Sequence, residues 1–152
     1  MEIQKPLLLV EDNPDEEALT IRAIRKNGID SDIKVARDGV EALDILFGTG
    51  AFAEDGPLVP QVVLLDVNLP KLNGLEVLRR IRAEPLTKLL PVVMLTSSRE
   101  EKDMLTGYQN GCNSYVRKPI NFDEFLEASN QLCRYWLQLN QYPGFIPKQV
   151  AS

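Results

Sequence analysis

Short apolar runs alternate along the chain with longer stretches in which apolar residues recur every three or four positions. The runs are rich in Val, Ile and Leu, as β-strands are, and the longer stretches have the period of amphipathic helices. The five predicted strands cover residues 7–10, 33–36, 62–65, 92–95 and 114–116. Such alternation predicts repeated βα units around a parallel sheet. Three of the runs are nearly all apolar, which is typical of strands covered on both faces.

Proline, glycine and capping residues predict where the helices begin and end. The first helix is predicted from Pro14, with Asn13 as its cap, to Gly28. The others are predicted to begin near residues 39, 74, 100 and 123, the last running into residues 135–136. Residues 48–61 contain Gly, Pro and acidic residues and are predicted to form a surface loop. We predict one domain over residues 1–140 and a tail over 141–152.

Composition narrows the class of protein. A chain of 152 residues suffices for one ordinary domain, and 44% hydrophobic with 26% charged residues is typical of a soluble globular protein. We expect no attached output domain. The net charge of -5, without a basic cluster, argues against direct nucleic-acid binding. Neither a signal peptide nor a membrane-spanning stretch is predicted, so we expect a cytoplasmic protein.

The chain contains two cysteines and no histidine. Cys112 and Cys133 lack the CxxC spacing of a zinc site, and no histidine could complete one. We therefore expect two reduced thiols. The missing histidine also excludes a Ser-His catalytic arrangement and a phosphohistidine within this chain. Any histidine that takes part in the chemistry must come from a partner.

Polar residues follow four of the predicted strands. In a parallel α/β sheet, ligands bind beyond the carboxyl ends of the strands. The ends carry three carboxylates, a hydroxyl and a lysine, from Glu11, Asp12, Asp66, Thr96 and Lys118. Each residue alone has a structural explanation, as a helix cap, a turn former or a solvated side chain. Their occurrence at successive strand ends predicts one site.

Three carboxylates at one edge of a sheet would repel one another. At about 4 Å and an effective dielectric near 20, each pair repels by roughly 4 kcal/mol, which would raise their pKa values. A hard divalent cation removes this repulsion, and an oxygen-only site with few protein ligands suits Mg²⁺ better than Ca²⁺. Lys118 would then stand ready as a positive charge for an incoming anion.

Four segments of the chain together resemble the receiver domains of two-component response regulators. They are Leu-Val-Glu-Asp-Asn at 9–13, Leu-Leu-Asp-Val-Asn-Leu-Pro-Lys-Leu-Asn-Gly at 64–74, Met-Leu-Thr-Ser-Ser at 94–98, and Lys-Pro at 118–119. The resemblance covers about residues 7–132. It implies an α/β fold of the flavodoxin-like, doubly wound (βα)5 type, with five parallel strands in the order 2-1-3-4-5 and a C-terminal extension.

The resemblance implies a role for each acidic residue of the site. Asp66 is the expected phosphoacceptor, which attacks the phosphohistidine of a sensor histidine kinase with Mg²⁺ or Mn²⁺ neutralising the charge. Asp12 and Asp66 are expected to bind the metal directly, together with the backbone carbonyl of Asn68. Glu11 is expected to act through a water.

The same match implies a switch. Lys118 is expected to pair with the phosphoryl oxygens, and its bond to Pro119 is expected to be cis. The Thr96 hydroxyl would follow the phosphate, and Tyr115 would turn inward as Thr96 moves. This motion would change the face made by the fourth helix, fifth strand and fifth helix.

A closer resemblance joins the chain to small response regulators that are paired with bacterial and cyanobacterial phytochromes. It rests on the lengthened segment before the third strand, on Asn-Leu-Pro-Lys at 68–71, and on Tyr-Trp-Leu at 135–137. The resemblance implies a phytochrome as the kinase and a homodimer formed through the last helix and tail. The candidate dimer residues are expected to form an exposed aromatic and aliphatic strip and are Tyr135, Trp136, Leu137 and Leu139. A tail that folds back on its own domain is the alternative.

Three other functions are alternatives to phosphoacceptance. An aspartate-nucleophile phosphatase places an acid/base two residues after its first-strand nucleophile, where this chain has Pro14. A flavodoxin-like carrier needs a hydroxyl-rich phosphate loop after the first strand, where this chain has carboxylates. A pseudo-receiver binds partners without phosphorylation, but none of the catalytic residues is missing here. We expect a signalling protein rather than an enzyme, whose chemistry is limited to its own phosphotransfer and autodephosphorylation.

Overall fold

A five-stranded parallel sheet forms the centre of the molecule, whose computed structural model describes residues 6–144. The strand order is β2-β1-β3-β4-β5, as predicted. The strands are β1 (Leu7–Val10), β2 (Ile33–Ala36), β3 (Val62–Leu65), β4 (Val92–Thr96) and β5 (Ser114–Arg117). The last two strands each extend one residue beyond the predicted end. This arrangement confirms the doubly wound, flavodoxin-like fold.

Helices follow the strands in alternation. They are α1 (Pro14–Lys26), α2 (Gly39–Phe47), α3 (Gly74–Ala83), α4 (Glu101–Gln109) and α5 (Phe122–Cys133). A 3-10 turn at Gly50–Phe52 lies in the long connection after α2, and a π-helix at Arg134–Leu139 continues α5. Asn13 caps α1, because its side-chain oxygen accepts hydrogen bonds from two backbone nitrogens of the first turn. None of the helices within residues 6–144 is long and apolar enough to cross a membrane.

Two apolar layers cover the sheet, one on each face. Leu8 and Val10 of β1 face the layer that contains α2 and α3, whereas Leu7 and Leu9 face the layer that contains α1 and α5. The three central strands are fully buried, and the edge strands β2 and β5 are only partly buried. Each fully buried leucine stabilises the fold by about 1.5–3 kcal/mol. The carboxyl ends of all five strands therefore project from a rigid core.

The π-helix divides the residues predicted to form an exposed dimer strip. Tyr135 and Leu139 are exposed, with 49% and 69% of their surface accessible. Trp136 and Leu137 instead pack against the layer that contains α1 and α5. The prediction of a fully exposed strip is therefore wrong for these two, because they lie on the side of the helix where apolar surface can be buried against the sheet.

The chain beyond the π-helix returns along the domain. The carbonyl of Asn140 accepts a hydrogen bond from Gln61 Nε2 at 3.2 Å. Tyr142 packs against the layer that contains α2 and α3, and Gly144 is buried. The first part of the predicted tail thus follows the fold-back alternative, and residues 145–152 lie outside the described residues.

Candidate functional site

The predicted carboxylates meet at the carboxyl edge of the sheet. Glu11 and Asp12 follow β1, and Asp66 follows β3, which is the neighbour of β1 in the sheet. One carboxylate oxygen from each residue lies within 4.8 Å of the other two. Strand adjacency therefore produces the convergence that was predicted from the strand ends.

The three carboxylates differ in burial. Glu11 is 2% exposed and Asp66 7% exposed, whereas Asp12 is open to solvent. Asp66 Oδ1 is buried and has no hydrogen-bond partner within residues 6–144. A buried carboxylate oxygen without a partner is unfavourable unless a cation or donor binds it. The oxygen donors and their negative charge fit a hard divalent cation such as Mg²⁺ or Mn²⁺. Asn68, whose carbonyl was predicted as a further ligand, is exposed in the loop after β3.

A close backbone crossing fixes the acceptor aspartate. A Cβ atom at Gly74 would lie 1.9 Å from the carbonyl oxygen of Asp66, so only glycine fits there. The Gly74 backbone nitrogen donates a hydrogen bond to the carbonyl of Val67 at 2.8 Å. Helix α3 begins at this glycine, and Asn73 caps it. The first residue of α3 therefore packs directly against the backbone of the acceptor aspartate.

Lys118 directly follows β5 and lies among the carboxylates. It is 6% exposed, and its Nζ donates hydrogen bonds to Glu11 Oε1 at 2.5 Å and Glu16 Oε2 at 2.7 Å. The same nitrogen lies 3.9 Å from Asp66 Oδ2. Sequence reasoning missed Glu16, because an acidic residue in the first turn of a helix is already explained by the helix dipole. No spacing of residues in the sequence indicated that a residue of α1 contacts the residue after β5.

The ionisation of these groups reflects burial and mutual contact. Burial raises the pKa of Glu11 to about 7, against the hydrogen bond from Lys118, and the charge of Asp66 adds to the rise. Burial would also raise the pKa of Glu16, but the hydrogen bond and charge of Lys118 together hold it below its ordinary value. Burial would lower the pKa of Lys118, yet its bonds to Glu11 and Glu16 raise it. The lysine is therefore a cation at neutral pH.

The peptide bond between Lys118 and Pro119 is trans, as are the other peptide bonds of the described residues. The prediction of a cis bond is wrong for this structure. The trans form is favoured by about 0.5–1 kcal/mol even before proline. In this form the carbonyl of Lys118 accepts a hydrogen bond from Arg99 Nη2 at 2.8 Å.

Thr96 and the two serines that follow it lie at the same carboxyl edge of the sheet. Thr96 is fully buried at the end of β4, and its Oγ1 accepts a hydrogen bond from the backbone nitrogen of Ser98 at 3.1 Å. The Ser98 hydroxyl in turn donates to Asp103 Oδ2 of α4 at 2.7 Å. The Ser97 hydroxyl donates to Glu16 Oε1 at 3.2 Å. Hydrogen bonds therefore connect Thr96 with α4 through Ser98, and Ser97 connects the same segment with α1.

Tyr115 lies in β5 with its ring against α4. A Cβ atom at Gly107 would lie 3.2 Å from Tyr115 Cδ2, so glycine allows the close contact between ring and helix. The buried Tyr115 hydroxyl has no well-formed hydrogen bond to any residue in 6–144, and burial raises the pKa of Tyr115 although nearby Ser98 opposes the rise. The predicted switch residue is thus half-buried, with its polar tip close to the segment that holds Thr96.

Residues 7–130 match the family model of the response regulator receiver domain. The chain belongs to the response regulator receiver family. It is 38% identical over 138 residues to the probable methanogenesis regulatory protein FilR2 of Methanothrix harundinacea, covering 91% of this chain and 87% of FilR2. It is 34% identical over 140 residues to response regulator Rcp1 of Synechocystis sp., covering 92% and 94% of the two chains.

Solved receiver structures share the whole fold. The phosphorylated cyanobacterial phytochrome response regulator RcpA is 33% identical and superimposes with a TM-score of 0.85, covering 93% of this receiver and 99% of RcpA. The Mn²⁺-bound form of Rcp1 superimposes with a TM-score of 0.83, covering 91% and 99%. The resemblance inferred from the motifs is therefore confirmed for the family and for its likeness to phytochrome response regulators.

Proposed function

We propose that this receiver accepts a phosphoryl group on Asp66 from a sensor histidine kinase, in a reaction that requires Mg²⁺ or Mn²⁺. The observation that carries the proposal is the buried Oδ1 of Asp66, which has no partner in the described part of the chain and lies beside two further carboxylates and a buried lysine. Such a site has a nucleophile, a cation-binding donor set and a positive charge in one place. Because the chain has no histidine, the phosphohistidine is the partner's.

The protein's own groups have distinct tasks in this reaction. A carboxylate oxygen of Asp66 forms a bond to phosphorus as the bond to the kinase histidine breaks, and the imidazole keeps the electron pair of that bond. Lys118 orients the phosphoryl oxygens and balances their charge. Glu11, Asp12, Asp66 and the Asn68 carbonyl would hold a divalent cation, which would supply positive charge to neutralise the transferred group.

Phosphorylation would bias the segment that joins Thr96 to α4. A phosphoryl oxygen beside Thr96 would accept a hydrogen bond from its hydroxyl and draw Thr96 Oγ1 away from the Ser98 backbone nitrogen. The Ser98 hydroxyl donates to Asp103 of α4 and lies near the Tyr115 hydroxyl. A shift from 1:99 to 99:1 between two states requires about 5.5 kcal/mol of differential binding. A dianion facing a divalent cation and Lys118 supplies interactions of that order. The changed face is that of α4, β5 and α5.

Partner recognition follows from exposed apolar residues beside the site. Leu19 of α1 is 44% exposed and Ile120, after β5, is 96% exposed. Arg22 lies over the Phe122 ring at 5.1 Å. We assign this surface to the kinase, and the name of RcpA, a cyanobacterial phytochrome response regulator, favours a phytochrome as that kinase. The protein acts in the cytoplasm as a signalling protein, without enzymatic turnover of other substrates and without direct binding of nucleic acid.

The phosphoacceptor is tested with acetyl phosphate, Mg²⁺ and intact-mass measurement. Wild type should gain one phosphoryl mass, and EDTA should prevent the gain. Asp66→Asn should gain none, whereas Asp55→Asn, which removes a carboxylate from the distant loop after α2, should behave as wild type. Modification of Asp66→Asn would identify another acceptor. No modification in any protein would favour a pseudo-receiver.

The proposed homodimer is tested by analytical sedimentation. Tyr135 and Leu139 present exposed apolar surface next to each other on the π-helix, which favours an interface there. We expect a dimer that Leu139→Glu disrupts, while Leu89→Glu, at an exposed leucine before β4, leaves it intact. A monomer at high micromolar concentration, with and without beryllofluoride, would contradict the proposal.

A further inference from the structure

The positive charge of Lys118 is shared between the acceptor site and a residue outside it. Lys118 Nζ lies 2.7 Å from Glu16 Oε2 but 3.9 Å from Asp66 Oδ2. Its other short contact, to Glu11 Oε1 at 2.5 Å, is with a member of the three-carboxylate group. The other carboxylate oxygen of Glu16 accepts a hydrogen bond from the Ser97 hydroxyl at 3.2 Å. Glu16 therefore bridges α1, the segment after β4 and the end of β5.

Glu16 competes with the phosphoryl group for the lysine. An incoming phosphoryl group carries oxygen acceptors that need the same ammonium donors, and a carboxylate already bonded to them opposes its approach by like charge. Glu16 does not belong to the group of three carboxylates that lie within 4.8 Å of one another. The cation-binding donor set is thus complete without it.

The surroundings allow Glu16 to withdraw. Its side chain is 35% exposed, whereas that of Lys118 is 7% exposed, so Glu16 is the member of the pair that solvent can stabilise alone. A cavity of about 400 Å³ lies beside the pair, with Glu16, Ser97, Arg99 and Lys118 among its lining residues. The Glu16 side chain therefore borders open space on the side of this cavity.

We propose that Glu16 is a positioning residue that holds the Lys118 ammonium back from the acceptor until a phosphoryl group displaces it. The inference rests on the proposed function, because it concerns how Lys118 becomes available to the phosphoryl group. It predicts that removal of the Glu16 charge makes the site accept phosphoryl groups and their mimics more readily.

Glu17 provides a matched control. It is the next residue of α1 and carries the same charge in the same first turn, so both residues interact with the helix dipole. Glu17 pairs with Arg37 at 3.0 and 3.1 Å instead of with Lys118. Glu17→Gln thus removes one negative charge from α1 without freeing the lysine.

The experiment compares wild type, Glu16→Gln and Glu17→Gln at one ionic strength. Calorimetric titration with Mg²⁺ alone comes first, followed by beryllofluoride at saturating Mg²⁺. Glu16→Gln should bind beryllofluoride about two- to fivefold more tightly than Glu17→Gln, the effect of one partly exposed ion pair. Its Mg²⁺ affinity should be unchanged or weaker. A general loss of structure would weaken the binding of both, so tighter binding of beryllofluoride without tighter binding of Mg²⁺ identifies a positioning effect.

A second readout needs neither metal nor phosphoryl mimic. In protein with ¹⁵N-labelled lysine side chains, the Lys118 ammonium resonance, assigned with Lys118→Arg, should shift in Glu16→Gln and stay in place in Glu17→Gln. If wild type binds beryllofluoride but Glu16→Gln binds it no more tightly than Glu17→Gln, the inference is wrong and the proposed function stands. If no variant binds beryllofluoride, the proposed function fails and the inference fails with it.

Discussion

The amino and carboxyl edges of the sheet differ in how their polar side chains are hydrogen-bonded. At the amino edge, where the strands begin, Arg82 donates to the carbonyls of Gly111, Lys88 and Leu90 and to Asn113 Oδ1. At the carboxyl edge, Asp66 Oδ1 is buried without a partner among the described residues, and several carboxylates share Lys118.

The buried side-chain atoms without a partner lie away from the amino edge. Among residues 6–144 they belong to Asp66, Tyr115 and Arg117. Thr87 and Gln61 at the amino edge instead donate to backbone carbonyls. Polar groups that are fully hydrogen-bonded hold the loops around them in one conformation. Buried polar groups without a partner are stabilised when a ligand binds them. The amino edge is therefore built for stability and the carboxyl edge for binding.

The largest effect is expected where the backbone itself forms the carboxyl edge. Gly74→Ala places a Cβ 1.9 Å from the Asp66 carbonyl and should lower the free energy of unfolding by more than about 3 kcal/mol. Gly28→Ala has open space but a φ of 78° and should lose only about 1 kcal/mol. Denaturant titration measures both. Equal losses would show that the crossing of α3 over Asp66 is not tightly packed.

The next effect tests the amino edge. Arg82→Ala should lower the free energy of unfolding by about 2–3 kcal/mol, because it leaves several backbone carbonyls and Asn113 without their donor. Arg79→Ala removes an exposed pair with Glu76 on the same helix and should lose less than about 0.5 kcal/mol. Phosphorylation of Arg82→Ala by acetyl phosphate, at a temperature where it is folded, should match wild type. Impaired phosphorylation would mean that the two edges are coupled.

A third, smaller effect sharpens the role of the carboxyl edge. Mg²⁺ at ten times its Kd should raise the free energy of unfolding by about 1.4 kcal/mol through mass action. Asp12→Asn should greatly reduce this gain, because it removes a carboxylate of the cluster. Arg79→Ala should keep it. Thermal unfolding with Mg²⁺ and with EDTA gives the comparison, and a gain that survives in Asp12→Asn would place the cation elsewhere.

The smallest effects compare one hydroxyl near each edge. Tyr115→Phe removes a buried hydroxyl without a well-formed hydrogen bond and should change the free energy of unfolding by less than about 0.5 kcal/mol. Thr87→Val removes a hydroxyl that donates to the Ile81 carbonyl at 2.7 Å and should lose about 1 kcal/mol. A larger loss for Tyr115→Phe would show that its hydroxyl is paired in solution.

Much of the site could be predicted because its information is local. The period of apolar residues identifies the strands, and the parallel sheet brings the residues that follow them to one edge. Glu11, Asp12 and Asp66 converge for that reason alone. Gly74 was recognised as a helix start, but its contact with Asp66 depends on how α3 crosses the chain, which no local pattern contains.

Sequence alone determined the order of strands and helices, the family and the three carboxylates, because repeating patterns and short motifs encode them. The tertiary structure decided that Glu16 reaches Lys118, 102 residues away, and that Trp136 turns inward while Tyr135 stays exposed. It also decided the trans bond after Lys118, since the two isomers differ by only about 0.5–1 kcal/mol. These features depend on small free-energy differences between alternative contacts of residues that are distant in sequence. Such contacts exist only once the chain has folded.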